Sequence, residues 1–245
     1  MVKPKQVNNL SKNGKTVLIT GAGKGIGLAT ARKYLKEGYD VICHYHTERP
    51  DIQDAKFVKG DFTTGEGVEL FIDNVNTLGL KVDVLVNNAA SFIISDNWES
   101  IKKIQIDTVF NVNFYAPLRL AQFFVKDMIK GRWGRIVNIS SISVEHGGNS
   151  ASLGYTTSKA ALESMTRSIS KSTAGFEVLI NAIRVGLTDT EFHKRNPSKS
   201  INKRVKQIPM GRMAKPEEIA NLIFYYGSHL NTFTTGSILK TSGGE

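Results

Sequence analysis

The sequence predicts a doubly wound α/β fold, in which a parallel sheet carries helices on both faces. Short apolar runs alternate with helical patterns along the 245 residues, an arrangement typical of this class. The first apolar run ends in a glycine-rich turn, residues 21–27, which opens a helix. Hydrophobic residues make up 40% of the chain, enough for one large core. No linker or internal repeat divides the pattern, so we expect a single domain.

The elements follow in order from the apolar runs and the helical periods. Strands are predicted at residues 16–20, 41–45, 57–62, 82–86, 135–140, 177–183 and 237–240. Helices are predicted from the glycine turn to residue 38 and at residues 68–78, 101–130, 155–173 and 216–226.

The two ends of the pattern and one internal segment lack a clean period. Residues 1–13 are expected to form a loose tail ahead of a single domain at 14–245. The irregular segment 191–214 is expected to belong to a substrate lid near 188–214, since long irregular segments in compact domains are usually functional or disordered. Its cations are Lys194, Arg195, Lys199, Lys203, Arg204, Lys206 and Arg212.

Charge and composition narrow the range of functions. The net charge of +10 favours an anionic partner. Because the cations do not form one dense tract with interleaved aromatics, we favour an anionic cofactor over nucleic acid. Cys43 lies in an apolar run and is expected to be a small buried hydrophobe. No apolar stretch has the length of a membrane span, and residues 1–15 lack the apolar core of a signal peptide, so we expect a cytoplasmic enzyme.

The glycine-rich turn has the composition of a pyrophosphate cradle. Gly21, Gly25 and Gly27 let the backbone approach a ligand, and Lys24 and Ile26 stand between them. The turn joins a buried strand to a helix N-terminus, where free N–H groups and the helix dipole favour anions. We therefore expect a dinucleotide cofactor at this turn.

The second strand lacks the carboxylate that usually binds the adenosine ribose at its end. Residues 43–47 contain no Asp or Glu, whereas Lys24 and His46 bring cations to this point. This pattern suits a 2′-phosphate, so we expect NADP(H) in preference to NAD(H). Asp61, after the third strand, either accepts from the adenine amino group or caps the next helix. His44 is interpreted as an ordinary strand residue, and a metal site with His46 is not expected because no third ligand is evident.

The main catalytic signal is Tyr155 followed by Lys159 in a helical run. Residues four apart share a helix face, so the phenol and the ammonium point the same way. A neighbouring ammonium lowers the pKa of a tyrosine, and a tyrosine tuned in this way can pass a proton to a carbonyl oxygen. Asn113 lies inside an apolar helical pattern, where its amide needs a partner. We expect it to hold a water, to mark a helix irregularity or to make a structural hydrogen bond.

Taken together, these residues resemble the short-chain dehydrogenase/reductase family, and the resemblance covers nearly the whole chain after residue 14. The motifs that carry it are the glycine turn from Thr20 to Gly27, Asp61, Asn87-Asn88-Ala89, Asn113, Ser141 and the pair Tyr155 and Lys159. The family implies a Rossmann-type sheet in a single NAD(P)-binding domain. It also implies a homo-oligomer, a tetramer or a dimer.

The resemblance implies roles for individual residues. Tyr155 is the implied general acid, and Lys159 holds the nicotinamide ribose. Ser141 binds the substrate carbonyl, and Asn113 holds a water of the proton relay. The full set of expected cofactor contacts is Gly21, Lys24, Gly25, Ile26, Gly27, His46, Asp61, Phe62, Asn88, Ala89, Tyr155, Lys159, Gly186, Thr188 and Thr190.

Two subfamilies compete for the substrate. Residues 208–212 and 216–220 resemble 3-oxoacyl-carrier-protein reductases and related ketone reductases. The basic segment 194–206 suits an acidic carrier protein or its phosphopantetheine, so the expected substrate is a small carbonyl compound, either free or bound to an acyl carrier. Residues 43–46 and 88–92 instead resemble pteridine and dihydromonapterin reductases.

Particular residues place ketone reduction ahead of pterin reduction. The pterin enzymes stack the pterin on an aromatic at the place of Phe92, which this chain retains. They carry Arg where Gly25 stands and Asp where Ser141 stands, and a serine suits a ketone oxygen better than a ring nitrogen. A cofactor-binding regulator that lacks catalysis is a further alternative, because a fold does not fix a function.

Overall fold

The computed structural model describes residues 14–191 and 201–245, and these form a seven-stranded sheet with helices on both faces. The strands are β1 (Thr16–Ile19), β2 (Asp40–Tyr45), β3 (Ala55–Lys59), β4 (Val84–Asn87), β5 (Gly134–Ser141), β6 (Val178–Val185) and β7 (Ile238–Thr241). They lie in the order β3-β2-β1-β4-β5-β6-β7, and each neighbouring pair is parallel. The predicted doubly wound fold class is confirmed.

The helices of the described ranges fall between the strands, as right-handed crossovers require. They are α1 (Gly25–Lys36), α2 (Gly65–Asn76), α3 (Lys103–Phe110), α4 (Ala116–Lys130), α5 (Ser143–His146), α6 (Leu153–Thr173), α7 (Ile201–Val205) and α8 (Pro216–Tyr226). Thr64 caps α2 by accepting from the Gly67 N–H at 3.1 Å, and Pro216 begins α8 at a favoured position. None of the helices in these ranges is long and apolar enough to cross a membrane.

Alternating side chains give the sheet a separate core on each face. Leu18 of β1 packs with Ile42 of β2 in one buried cluster, whereas Val17 packs with Val41 in the other. Strands covered on both faces appear in a sequence as continuous apolar runs, which is why the pattern reveals them.

Most elements shift by a few residues from their predicted bounds, and two of the differences have a clear physical reason. The third strand is predicted at 57–62 but spans Ala55–Lys59, because the Gly60 carbonyl turns to the His44 ring instead of continuing the ladder. The helix predicted at 101–130 is divided by a π-helical turn, Asn111–Tyr115, between α3 and α4. The apolar period does not reveal such an insertion.

The predicted lid is only partly described. Residues 201–205 form α7 within the segment that lacks a clean period, and Thr188 makes a parallel bridge with Ala214. The predicted tail at 1–13 and the cations Lys194, Arg195 and Lys199 lie outside the described residues.

The strand order determines where on the sheet a ligand site is expected. β1 lies between β2 and β4, so the chain leaves β1 toward one edge of the sheet and later returns to its other side. Open α/β sheets bind ligands at this switch point, beyond the carboxyl ends of the strands. The glycine turn after β1 and the loop after β4 meet there.

We expect Tyr34→Phe to leave the free energy of unfolding unchanged or to raise it by up to about 1 kcal/mol. Tyr34 is fully buried on α1, and its hydroxyl has no hydrogen-bond partner within the described residues. Its ring packs edge-on against Tyr39 and Phe224, contacts that phenylalanine keeps. Urea unfolding measures the change, and a loss above about 1 kcal/mol would contradict an unbonded hydroxyl.

Candidate active site

A cavity of about 1180 Å³ opens at the switch point, along the carboxyl ends of β1, β4, β5 and β6. The predicted site residues that line it are Gly21, Lys24, Ile26, His46, Asp61, Phe62, Asn88, Ala89, Phe92, Ser141, Tyr155, Lys159, Gly186, Thr188 and Thr190. Gly25, Gly27 and Asn113 belong to the surrounding structure. The fold thus brings predicted residues from most of the chain to one place.

The glycine turn needs glycine for backbone reasons. Gly21 has a φ of +65°, and a side chain there would approach the Ala89 Cα at 2.8 Å. A side chain on Gly27 would collide with the carbonyl of Gly21. Gly25 has a φ of +54° at the first residue of α1. The turn is therefore closed tightly enough that the helix N-terminus meets the end of β1.

The N-terminus of α1 is open to an anion. Lys24 stands at its N-cap in extended conformation, and no side chain in the described residues caps the helix. The first turn carries no acidic residue. Unbonded N–H groups and the positive end of the helix dipole therefore face the cavity, which fits a pyrophosphate.

Thr20 and Asn88 hold the end of β1 against the loop after β4. The Thr20 hydroxyl accepts from the backbone N–H groups of Asn88 at 2.9 Å and Ala89 at 3.0 Å. The Asn88 side chain donates to the carbonyls of Thr20 at 2.9 Å and Gly21 at 3.0 Å. These short bonds fix the floor of the cavity.

His44 is a site residue that the sequence interpretation missed. Its Nδ1 accepts from the Gly21 N–H at 3.0 Å, so its Nε2 carries the proton and donates to the Gly60 carbonyl at 3.1 Å. The ring is buried and stacks on Phe62 at 4.1 Å. Burial lowers the pKa of His44 to about 4. The neutral ring therefore joins the glycine turn to the end of β3.

The end of the cavity beside β2 and β3 carries both basic and acidic side chains. His46 lies 3.8 Å from the Asp61 carboxylate, and both side chains are about half exposed. Asp61 accepts from the Thr63 N–H at 2.9 Å and hydroxyl at 2.7 Å, which lowers the pKa of its carboxyl. Asp61 does not cap α2, because Thr64 does. Glu48 also lines this end, a carboxylate that the strand-end pattern missed because it lies beyond residue 47.

Tyr155 and Lys159 share one face of α6, but the expected electrostatic effect is reversed. Burial raises the pKa of Tyr155, and the contributions that lower it come from the Ser141 hydroxyl and the Arg204 charge. Lys159 Nζ donates to the Ile139 carbonyl at 2.7 Å and lies 5.9 Å from the centre of the Tyr155 ring. The expectation that Lys159 lowers the tyrosine pKa is wrong for this structure, since the ammonium is held beside Ile139.

Burial also lowers the pKa of Lys159, to about 8. One of its three N–H donors goes to Ile139, which leaves capacity for hydroxyl acceptors in the cavity.

Asn113 lies in the π-helical turn and is fully buried. Its Oδ1 accepts from the Ser91 N–H at 2.8 Å, and its Nδ2 donates to the Ser91 carbonyl at 2.9 Å and to Ser158 Oγ at 3.0 Å. Ser158 in turn donates to the Tyr155 carbonyl at 2.7 Å. The amide thus makes structural bonds at a helix irregularity, and both of its N–H donors are used within the protein.

The loop after β6 returns over the glycine turn. The Thr188 hydroxyl donates to the Gly186 carbonyl at 3.1 Å, and a side chain on Gly186 would meet Ser242 Cα at 2.7 Å. The Thr190 methyl group lies 3.2 Å from the position that a Cβ on Gly25 would take. Both threonines therefore lie on the same side of the cavity as the start of α1.

A doubly wound sheet with a glycine turn and an open helix N-terminus at its switch point defines the class of dinucleotide-binding α/β proteins. A family model described as enoyl-(acyl carrier protein) reductase matches residues 21–245. The chain belongs to the short-chain dehydrogenase/reductase family.

Relatives match nearly the whole chain. The 3-oxoacyl-(acyl-carrier-protein) reductase of Thermotoga maritima is 34% identical over 242 residues, 94% of this chain and 97% of that protein. The protein of the same name from Aquifex aeolicus is 32% identical over 243 residues, with the same coverage.

Solved structures also match nearly the whole chain. A 3-oxoacyl-(acyl-carrier-protein) reductase from Agrobacterium tumefaciens C58 with NADP bound is 25% identical, with a TM-score of 0.87 over 100% of both chains. A 4-hydroxyisoleucine dehydrogenase complexed with NADH is 25% identical, with a TM-score of 0.85 over 94% of this chain and 98% of that chain.

We expect His44 to make stability fall as pH falls from about 6.5 to about 4. Between these values the unfolded chain binds a proton that the folded protein excludes, so wild type should lose roughly 2 kcal/mol between pH 7 and pH 4.5 from this group. His44→Asn should lack this loss, whereas His229→Asn, at an exposed histidine, should keep it. Urea unfolding at both pH values measures the difference, and equal pH dependence in wild type and His44→Asn would contradict the assignment.

Proposed function

We propose that the protein reduces a ketone to a secondary alcohol with NADPH as the hydride donor. The observation that carries this proposal is the Tyr155 hydroxyl beside the Ser141 hydroxyl in the cavity. Because burial raises the pKa of Tyr155, the phenol keeps its proton near neutral pH, and that is the form that donates in the reductive direction.

The cavity residues fit a dinucleotide. The open N-terminus of α1 and the close approach of backbone at Gly21 and Gly27 suit the pyrophosphate. In this proposal Lys159 uses its remaining donors for the ribose of the nicotinamide half. Thr188 and Thr190, which line the cavity, are proposed to hold the carboxamide. Lys24 and His46 support NADPH because they bring cations to the adenosine end, although Glu48 lines the same end.

The chain's own groups supply the proton chemistry. When bound, the nicotinamide supplies a hydride to the carbonyl carbon. The Ser141 hydroxyl, hydrogen-bonded to Tyr155, orients the carbonyl oxygen, and Tyr155 donates a proton to that oxygen. Asn113 maintains the position of Tyr155 through Ser158. Because both of its amide donors are used, a relay water in this proposal would donate to an oxygen of Asn113.

The proposed substrate is a 3-oxoacyl thioester. The relatives named 3-oxoacyl-(acyl-carrier-protein) reductase, at 34% and 32% identity, support this class, as does a serine at the carbonyl-binding position. Such a substrate carries its reacting ketone next to a thioester on a long flexible arm, which suits a cavity open along the strand ends.

Pterin reduction is a second candidate because of Phe92. Its ring lines the cavity and packs edge-on against Tyr155, with ring centres 4.9 Å apart. A flat heterocycle can stack on such a ring. NADPH oxidation with acetoacetyl thioester, dihydrobiopterin and dihydromonapterin separates the candidates, since turnover of the pterins alone would exclude ketone reduction as the main activity.

Tyr155→Phe should lower kcat by about 100-fold or more, because it removes the proton donor. The Kd of NADPH should stay within about twofold of wild type, since the ring remains. NADPH oxidation and fluorescence titration measure the two quantities. Tyr225→Phe, at an exposed tyrosine on α8, is the matched control and should keep full activity. Retained turnover in Tyr155→Phe would refute the proposed general acid.

Lys24→Ala should narrow the preference for NADPH over NADH by about tenfold, because it removes a cation from the 2′-phosphate position. The Kd values of both cofactors, measured by fluorescence titration, give the ratio. Lys36→Ala removes an exposed cation at the far end of the same helix and should leave the ratio unchanged. Equal affinities of wild type for NADPH and NADH would show that the cofactor assignment is wrong.

A further inference from the structure

The substrate end of the cavity contains an arginine that the proposed reduction does not use. Arg204 on α7 and Glu245 line the same cavity as Ser141 and Tyr155. Lys203 and Lys206, its neighbours on that segment, are exposed and are not part of the lining. Among the cations that the structure describes in this segment, at residues 201–214, Arg204 is therefore the one that lines the cavity with the reacting groups.

Among the described residues, the guanidinium of Arg204 is bonded through Nε alone. Its Nε donates to Glu245 Oε1 at 3.2 Å. Glu245 is itself fixed to the turn after β7, where Ser242 Oγ donates to the Glu245 carbonyl at 3.0 Å. Within residues 14–191 and 201–245, the two terminal nitrogens of Arg204 have no hydrogen-bond partner. Their parallel N–H groups form the fork that binds carboxylates and phosphates in a bidentate manner.

The ion pair alone does not explain this arrangement. Only one carboxylate oxygen of Glu245 is paired with Arg204, and the other, Oε2, is buried without a partner in the described part of the chain. Arg204 is partly exposed and Glu245 is mostly buried, and a pairing through one oxygen lacks the bidentate geometry that makes such a pair strongly stabilising. An arginine that is anchored through Nε, and whose two terminal nitrogens are unbonded in the described residues, is instead suited to bind a ligand.

We propose that Arg204 binds an anionic group of the substrate, linked to the carbonyl that Ser141 and Tyr155 hold. This inference rests on the proposed ketone reduction and names a feature of its substrate. The group is a set of anionic oxygens, which a small oxo acid supplies as a carboxylate and a phosphopantetheine thioester supplies as a phosphate. In either case the fork of Arg204 receives two oxygens while Glu245 fixes its orientation.

The test compares substrates in pairs that differ only in the anion. One pair is 3-oxobutanoate and its methyl ester. The other is acetoacetyl-pantetheine with and without its 4′-phosphate. In at least one pair the charged member should have a kcat/KM about tenfold higher, mainly through a lower KM. The pair that shows the preference identifies the source of the anion.

Two variants test whether Arg204 causes the preference for the charged substrates. Arg204→Gln should abolish it, so that the charged and neutral members of each pair have kcat/KM values within about twofold of each other. Lys203→Gln removes the same charge from an exposed position of the same helix and should keep the preference. No preference in either pair, or an equal loss for charged and neutral members in Arg204→Gln, would overturn the inference.

A direct binding measurement separates this inference from the proposed reduction. If wild type turns over none of the four compounds, the proposed function fails. Calorimetry with 3-oxobutanoate and with 4′-phosphopantetheine, in the presence of NADPH, then decides the inference. Binding that Arg204→Gln abolishes and Lys203→Gln keeps would support it, and absence of binding to wild type would refute it.

Discussion

The site depends on the close approach of backbone at the switch point of the sheet. The turn after β1 and the loop after β4 approach so closely that only glycine fits at position 21. The φ of Gly21 is positive, and a side chain there would collide with the Ala89 Cα. Thr20 and Asn88 close this contact with short hydrogen bonds, and His44 fixes the Gly21 N–H from the second strand. Since this contact sets the direction of α1, it also directs the helix N-terminus into the cavity.

A second set of buried polar groups holds the part of the site that contains Tyr155 and Lys159. The π-helical turn places Asn113 between the loop at Ser91 and Ser158 of α6, and that bond chain reaches the backbone of Tyr155. Lys159 is held one turn further along by the Ile139 carbonyl of β5. Buried polar groups that are fully bonded hold a single geometry, because any rearrangement leaves a partner unsatisfied. The reacting hydroxyls therefore sit on rigid elements.

Periodicity and spacing were sufficient to predict the sheet, the glycine turn and the shared face of Tyr155 and Lys159, because each follows from local sequence. They did not predict what depends on distant partners. The roles of His44 and Arg204 require knowledge of Gly60 and Glu245, which lie far from them in the sequence. The π-helical turn is a one-residue departure within an unbroken apolar pattern. The direction of the Tyr155 pKa shift depends on burial and on where the ammonium points, and neither is visible in an i, i+4 spacing.

In the proposed reaction, the charges around Tyr155 would connect substrate recognition with proton donation. In the protein alone, burial raises the pKa of Tyr155 and the positive charge of Arg204 partly offsets that rise. An anion bound at Arg204 would cancel this offset, so the phenol would hold its proton more firmly when the substrate is in place. In the proposed reduction, the proton would leave for the carbonyl oxygen only as that oxygen gains negative charge, since a stronger acceptor is needed. A substrate without the anion would meet a more acidic tyrosine that is less completely protonated at high pH. Anion recognition in this site would therefore act on the protonation state of the acid as well as on binding.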